Sequence, residues 1–506
     1  MKSGLSLIAL ALAFAVPAAL HAQDKPADGA ASQKAKADKP ADDYEPQVHT
    51  TKLSGTFGGQ RVNYAATIGE TILKNQDDVA EAAIVTTAYV KEPRDPSRPV
   101  TFLFNGGPGS GTVWLMMGAF GPKRVAIPGD ARDDGAPPYP IVDNPDALLD
   151  VTDVVFIDPP GTGFSHLIGK AKPEDYYGVT QDAKAVAEVI RRWLNENGRW
   201  NSPKFLGGES YGTTRSAAVA NQLMNETYND VALNGIILIS TVLDFAAGAD
   251  TPGNELSYIT NLPSMATTAM FHGKASGTSV EAFAEEARQW AIGPYASALL
   301  KGQKLQGEER AQIRRELARF TGLSETYLES ADLRVTPDRF YKELLRDRGL
   351  TIGRLDSRYT GKDYDNAGES PDNDPSFYGI DASYTAAINS WSRDTLGFKT
   401  TREYQSIGNV GPWDWRIGGR DSNAYLNVAP YIGQALRENS GLRVFVGQGY
   451  YDFATPFFAA EYALSRTGIP QDRISYQYYG AGHMMYIRDE DRHKLSADIR
   501  AFIRGR

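Results

Sequence analysis

Short β-rich apolar runs at residues 100–104, 154–157, 205–206, 236–239, 442–446 and 474–478 are separated by stretches with helical spacing. In residues 180–195, for instance, Val186, Val189, Ile190 and Trp193 fall on one helical face. Such alternation predicts a mostly parallel sheet flanked by helices, because parallel strands need crossover connections that cover both faces. Upstream, residues 62–67 and 83–89 carry strand patterning, with Gly58-Gly59 as a turn signal, so antiparallel strands are expected to enter the sheet. The strand rhythm stops between about residues 250 and 421, where 281–320 read as helix and 356–376 are rich in Asp, Gly, Ser and Tyr. The fold class expected is therefore α/β, with a sheet domain at 46–249 and 422–506 and an inserted, largely helical cap at 250–421. No internal repeat is visible.

One junction in this pattern carries chemistry. Lys204 to Arg215 reads KFLGGESYGTTR, in which Gly208-Glu209-Ser210-Tyr211-Gly212 fits G-x-S-x-G between a short strand and helix-forming residues from Arg215 onward. Glycines flank a serine on so sharp a turn because side chains at either shoulder would collide with the neighbouring strand and helix. Ser210 is the candidate nucleophile. An ordinary Gly-Ser turn would use the same residues, so partners elsewhere must decide between the two readings.

An activated serine needs a base, and the base needs an acid to orient it. Of six histidines, His21 and His49 lie in or near the amino-terminal leader. His483 follows Gly480-Ala481-Gly482 directly after a strand-like run, whereas His166, His272 and His493 have the surroundings of loop or helix surface. The run ending at Val446 empties into Gly447-Gln448-Gly449-Tyr450-Tyr451-Asp452, and the chain from Asp452 to His483 is long enough for one helix and one strand. In acyl transfer, backbone N–H groups must also approach the developing oxyanion unobstructed. Asn105-Gly106-Gly107-Pro108-Gly109-Ser110-Gly111 follows the strand at 100–104 and offers the Gly107 amide beside that of Tyr211. A phosphate-binding loop would need Lys then Ser or Thr after the glycines; Thr112-Val113-Trp114 lacks them. No metal and no cofactor are implied, since His483 has no second histidine or cysteine at ligand spacing.

NGGPGSG at 105–111, DPPGTGFS at 158–165, GESYG at 208–212, GQGYYDFATP at 447–456 and GAGHMMY at 480–486 occur in the order seen in the serine carboxypeptidases. The chain resembles these exported α/β-hydrolases, which remove C-terminal residues from peptides, from about residue 95 to 490 apart from the cap. The resemblance implies a Ser210, Asp452, His483 triad and Gly107 and Tyr211 as oxyanion donors. It also implies that Asn105, Gly106 and Glu209 hold the substrate's terminal carboxylate. Glu209 and that terminus would then share a proton, which predicts an acidic optimum. Departures from the family pattern are Ser110 and Ala454-Thr455-Pro456 where cysteines are usual, Gln448 for an aspartate, Pro159 for a glutamine, and Met485-Tyr486 for Val-Pro. They leave the triad intact and side-chain preference open.

The remaining observations restrict partners and compartment. A net charge of −9 and a pI near 5.4 argue against a nucleic-acid backbone as partner, and no basic run is present. Lys2, the apolar stretch from Leu5 to Leu20 and Leu20-His21-Ala22 read as an export signal over 1–22. Residues 23–45, dominated by Ala, Lys, Asp and Pro, read as a disordered leader. A soluble periplasmic or secreted protein without stable membrane insertion is expected, stabilised by packing because it has no cysteine. Peptides are the expected substrates. The competing readings are an esterase, acyltransferase or prolyl aminopeptidase on the same scaffold, and a binding protein that has kept the fold. Aminopeptidases of that kind place a histidine where Asn105 stands, and a binder would be expected to have lost a triad member.

Overall fold

The structure, a computed structural model, describes residues 44–225, 229–417 and 425–505. The signal expected at 1–22 lies outside these residues, as does the leader expected at 23–45 save for Tyr44 and Glu45.

The chain enters through three long antiparallel strands, β1 (Val48–Phe57), β2 (Gln60–Lys74) and β3 (Ala80–Glu92). Gly58 and Gly59 make the two-residue turn between the first pair, both at positive φ (53° and 80°), as a tight hairpin requires. Six further strands follow: β4 (Val100–Phe104), β5 (Asp153–Ile157), β6 (Lys204–Ser210), β7 (Gly235–Thr241), β8 (Arg443–Gly449) and β9 (Ile474–Tyr479). Together with a short strand, His166–Leu167, that pairs with β3, they form a ten-stranded sheet in the order β1-β2-β3-β5-β4-β6-β7-β8-β9. The pairs from β5 through β9 are all parallel, and β5 joins β3 antiparallel. This is the α/β-hydrolase fold, a central, mostly parallel sheet flanked by helices.

Every residue of β4, β5 and β7 is buried, so these strands read as continuous apolar runs. Alternate side chains still divide between two cores. Phe102, Phe104, Leu206, Ile236 and Val444 face the layer of α1 (Val179–Glu196), α2 (Tyr211–Met224) and helix Ala429–Glu438. Leu103, Phe156, Phe205, Ile237 and Phe445 face helix Asp489–Ile503 and the turn Leu115–Phe120. The Val186, Val189, Ile190, Trp193 stripe lies in the first core, with Trp193 edge-on to Phe102 at 5.4 Å.

Between β7 and β8 the chain is mainly helical, and it packs in two places. Helices Glu255–Phe271, Val280–Trp290, Gly307–Thr321 and Pro337–Glu343 share a core of their own, containing Leu262, Phe283, Phe320 and Phe340 and reached by Phe453 from the loop after β8. The helix expected over 281–320 is broken: Pro294, which cannot donate a hydrogen bond, sits in a widened turn at Ala291–Tyr295, and Gly302 closes helix Ala296–Lys301. Further on, Tyr384, Ile388, Trp391, Phe398 and Tyr404 join the core beneath the sheet, where Trp391 donates to the Tyr89 hydroxyl at 2.8 Å. Isolated bridges Ser110 to Ile407 and Gly163 to Gln405 lay this segment beside the glycine loop.

Candidate active site

Strand register builds the floor of the site. Phe104 on β4 is paired with Gly208 on β6, so the next residues, Asn105 and Glu209, lie side by side at the carboxyl ends of adjacent parallel strands. Asn105 Nδ2 donates to Glu209 Oε2 at 3.0 Å. One residue later β6 turns straight into α2: Ser210 has φ 61° and ψ −131°, and the helix starts at Tyr211, four residues before the helix-forming composition does. Holding a non-glycine residue there costs about 1–3 kcal/mol, a strain that persists only where surrounding packing enforces it. The neighbouring glycines permit it. A Cβ on Gly208 would stand 2.0 Å from the Gly212 carbonyl oxygen, and one on Gly106 would stand 2.5 Å from the Tyr211 nitrogen. The glycine loop can therefore lie against the start of α2, where the Tyr211 N–H has no carbonyl within the helix to receive it. Gly106, Gly107 and Tyr211 all line the cleft above.

His483 and Asp452 reach this cleft from the loops after β9 and β8. His483 Nδ1 is 2.8 Å from Asp452 Oδ2 and 3.2 Å from Thr455 Oγ1, and the Thr455 hydroxyl also donates to Asp452 Oδ2 at 2.7 Å. With Nδ1–H directed at the carboxylate, Nε2 carries the lone pair. The His483 loop is braced on both sides: its N–H donates to the Leu355 carbonyl at 2.6 Å, and its carbonyl accepts from Ser240 Oγ at 2.5 Å. Gly482 N–H adds a bond to Asp356 Oδ2, itself paired with Arg358. Ser210 and His483 line the same cleft, of about 520 Å³. Among the described residues no hydrogen bond yet joins the two side chains, and such contacts commonly tighten only when substrate arrives.

Glu209 is buried, 2 % exposed, and also accepts from the Tyr486 hydroxyl at 2.8 Å. Burial pushes its pKa up to about 7 against the opposing pull of His483, Tyr486 and Asn105. Burial works against the charged form of His483, yet Asp452 beside it, with Glu209 further off, outweighs that and holds its pKa above the ordinary histidine value.

Two buried acids hold the frame. Asp158 Oδ1 accepts from Thr112 N–H (2.8 Å), Thr112 Oγ1 (2.7 Å) and the Tyr404 hydroxyl (3.0 Å), which ties down the far end of the glycine loop. Asp182 on α1 accepts from Arg215 Nε on α2 at 2.6 Å, while another Arg215 nitrogen donates to the Asn105 carbonyl.

The structure thus gathers Asn105, Gly106, Gly107, Glu209, Ser210, Tyr211, Asp452 and His483 at one end of the sheet. His166, His272 and His493 do not line the cleft; their ring nitrogens lie near the Phe164 carbonyl, the Ser357 carbonyl and Asp146. Tyr486 and Thr455 had no assigned role in the sequence reading, although both stand where the chain departs from the family pattern. Asp158 sat in a recognised motif whose purpose the sequence left unstated. Among the described residues no group of three or more His, Asp or Glu has the arrangement to hold a metal ion, and no helix is long and apolar enough to cross a membrane.

Comparison with known proteins gives three results. Solved structures similar to this chain include the proline iminopeptidase of Mycobacterium smegmatis (11 % identity over 86 % of this chain and 98 % of that one, TM-score 0.37). The epoxide hydrolase of Aspergillus niger is another (11 %, 87 % and 78 %, TM-score 0.35). No curated protein matches the chain. Residues 88–290 match the family model described as serine carboxypeptidase, a span that includes the glycine loop and the Ser210 turn and stops short of Asp452 and His483. On that match the chain is similar, over residues 88–290, to the serine carboxypeptidases, and the elbow, glycine loop and His483–Asp452 pair assembled around one cleft have the make-up of a serine hydrolase site on the α/β-hydrolase fold.

Proposed function

We propose that the protein removes C-terminal residues from peptides through an acyl-enzyme, with an acidic optimum. The observation that carries this reading is a buried glutamate, kept protonated to about pH 7, beside Asn105 and next in sequence to the nucleophile. A neutral carboxyl can donate to a terminal carboxylate, whereas an ionised one would repel it.

The geometry supports the following steps. The peptide terminus is gripped by Asn105, the Gly106 backbone and Glu209, which sets the last peptide carbonyl over Ser210. Ser210 Oγ attacks the carbonyl carbon as His483 Nε2 takes its proton, and the oxyanion forms between the Gly107 and Tyr211 amides. His483 returns the proton to the departing amine as the C–N bond breaks. Water then attacks the acyl-enzyme, giving its proton to His483, which passes it to Ser210 Oγ as the ester breaks. Asp452 fixes the imidazole tautomer throughout. Glu209 and His483 also couple: a Glu209 that keeps its proton adds no anion to favour imidazolium, so His483 gives up its proton more readily than it would beside an ionised Glu209.

The test is incubation with a mixed peptide library at about pH 5, where Glu209 holds its proton, with the shortened ends read by mass spectrometry. C-terminal losses are expected from the wild type and none from Ser210→Ala, which should also lose labelling by a fluorophosphonate. Loss of N-terminal residues, or labelling that survives the substitution, would overturn the reading. Export is proposed on the Lys2 to Ala22 pattern; amino-terminal sequencing of the mature protein starting near Gln23 tests it.

A further inference from the structure

One cation in the cleft is not used by the steps above. Arg354 is exposed and lines the same cleft as Ser210 and His483. Its backbone is fixed, with its N–H donating to Asp374 Oδ1 at 3.0 Å and its carbonyl accepting from the Phe453 N–H at 3.1 Å. Its guanidinium has no hydrogen-bond or ion-pair partner among the described residues.

The nearby acids are committed elsewhere. The Asp374 carboxylate also accepts from Ser376 N–H, Ser376 Oγ and Leu355 N–H. Asp356 is paired with Arg358, Asp452 with His483 and Thr455, and Glu209 with Asn105 and Tyr486. A guanidinium with five donors, set in a substrate cleft and left without a carboxylate, is a site for an anionic group.

The wall around Arg354 identifies which part of a peptide meets it. Trp114 borders the carboxylate grip, because the next residue, Leu115, donates its N–H to Asn105 Oδ1 at 3.1 Å. Phe377 packs on Trp114, with ring centroids 5.9 Å apart, and stands on the short helix capped by Asp374, the residue that also holds Arg354. Met484, the residue after His483, lines the cleft with them. Trp114, Phe377 and Met484 thus line one cleft together with Asn105, Glu209 and Arg354, which sets the guanidinium in the same space as the grip on the terminal carboxylate.

We propose that Arg354 pairs with an acidic side chain on the departing residue, so that peptides ending in Glu or Asp are preferred substrates. The inference rests on the carboxypeptidase reading of the cleft. The α-carboxylate is already held at the floor by Asn105 and Glu209, which leaves the guanidinium for a second carboxylate. A neutral side chain leaves Arg354 in water without penalty, and a lysine side chain is repelled.

The test compares kcat/KM on peptides identical except for a last residue of Glu, Gln, Leu or Lys, for wild type, Arg354→Gln and Arg354→Glu. Arg354 opposes protonation of His483, so each protein is measured on its own pH plateau. The wild type should favour Glu over its neutral isostere Gln by about tenfold or more, the gain of a charge-assisted pair. Arg354→Gln should bring that ratio to about one while leaving the Leu peptide within about twofold, and Arg354→Glu should favour Lys. An equal loss on all four peptides would make Arg354 a grip on the α-carboxylate or a brace for His483, and would overturn the proposal. So would a wild type that cleaves Glu and Gln peptides alike. A wild type that releases no C-terminal residue from any peptide sinks the carboxypeptidase reading, and the Arg354 proposal with it.

Discussion

A glutamate that keeps its proton to about pH 7 can donate a hydrogen bond where an ordinary one only accepts. Binding that depends on this donation must fail as the proton leaves, so kcat/KM should fall on the alkaline side with a midpoint near the Glu209 pKa. Glu209→Gln keeps a neutral donor that cannot titrate, and its alkaline limb should move away from that midpoint, chiefly through KM. Tyr486→Phe removes a bond that favours the ionised carboxylate, so its limb should move to higher pH. Profiles of kcat/KM against pH check both; an alkaline limb unchanged in Glu209→Gln, or shifted to lower pH in Tyr486→Phe, contradicts the account. At this scale the sequence is legible where chemistry demands a particular turn. Ser210, Asp452 and His483 each follow a strand through glycines, and that local pattern suffices to nominate them. Tyr486 carries no such mark: it reaches Glu209 across 277 residues of sequence, and only the closed fold brings the two together.

Between elements, the glycine loop and the nucleophile turn are joined by Arg215, which bonds Asp182 on α1 and the Asn105 carbonyl from α2 and packs over the Phe104 and Tyr211 rings. Arg215 and Asp182 are both about 1 % exposed, so removing one leaves the other charge without a partner in a low-dielectric setting. Arg215→Met should cost about 3–5 kcal/mol and loosen the carbonyl end of Asn105. Arg215→Met combined with Asp182→Leu should recover much of the stability but not the placement of Asn105. Urea unfolding with peptidase assays on single and double variants separates the two; a double variant no more stable than Arg215→Met would mean the pair's worth is not electrostatic. Elements were readable where periodicity is strong: the six apolar runs of the alternating region became β4 to β9, and the Trp193 stripe became α1. Readability failed inside 281–320, where helix-forming composition masked the break at Pro294 and Gly302. It failed again after residue 376, because nothing local reveals that Trp391 and Tyr404 are buried under a sheet formed hundreds of residues earlier.

The whole molecule should be most stable in mild acid. Glu209 has its pKa raised from 4.5 to about 7 by burial, so the folded chain binds that proton more tightly than the unfolded chain does. A group raised in this way contributes its full stability below the unfolded pKa and loses it as pH rises through the folded one, here between about 4.5 and 7. At 1.36 kcal/mol per unit the loss amounts to about 3 kcal/mol by pH 8. Asp158, raised by burial, and His483, raised by Asp452 and Glu209 against its burial, act in the same direction. Net charge adds to it, since a chain with a pI near 5.4 and a charge of −9 at pH 7 repels itself less as pH falls toward 5. Acids held low act the other way, among them Asp414, held down to about 2 by Arg416, and Asp95, Glu329, Asp347 and Asp489, but these lie at or near the surface and lose their contribution below the ordinary carboxylate range, in stronger acid than this window covers. Melting temperatures measured at about pH 5, 6, 7 and 8 should therefore decline steadily for the wild type. Glu209→Gln should decline less and overtake the wild type at the alkaline end, whereas a wild type at least as stable at pH 8 as at pH 5 would show that its buried acids do not govern its stability.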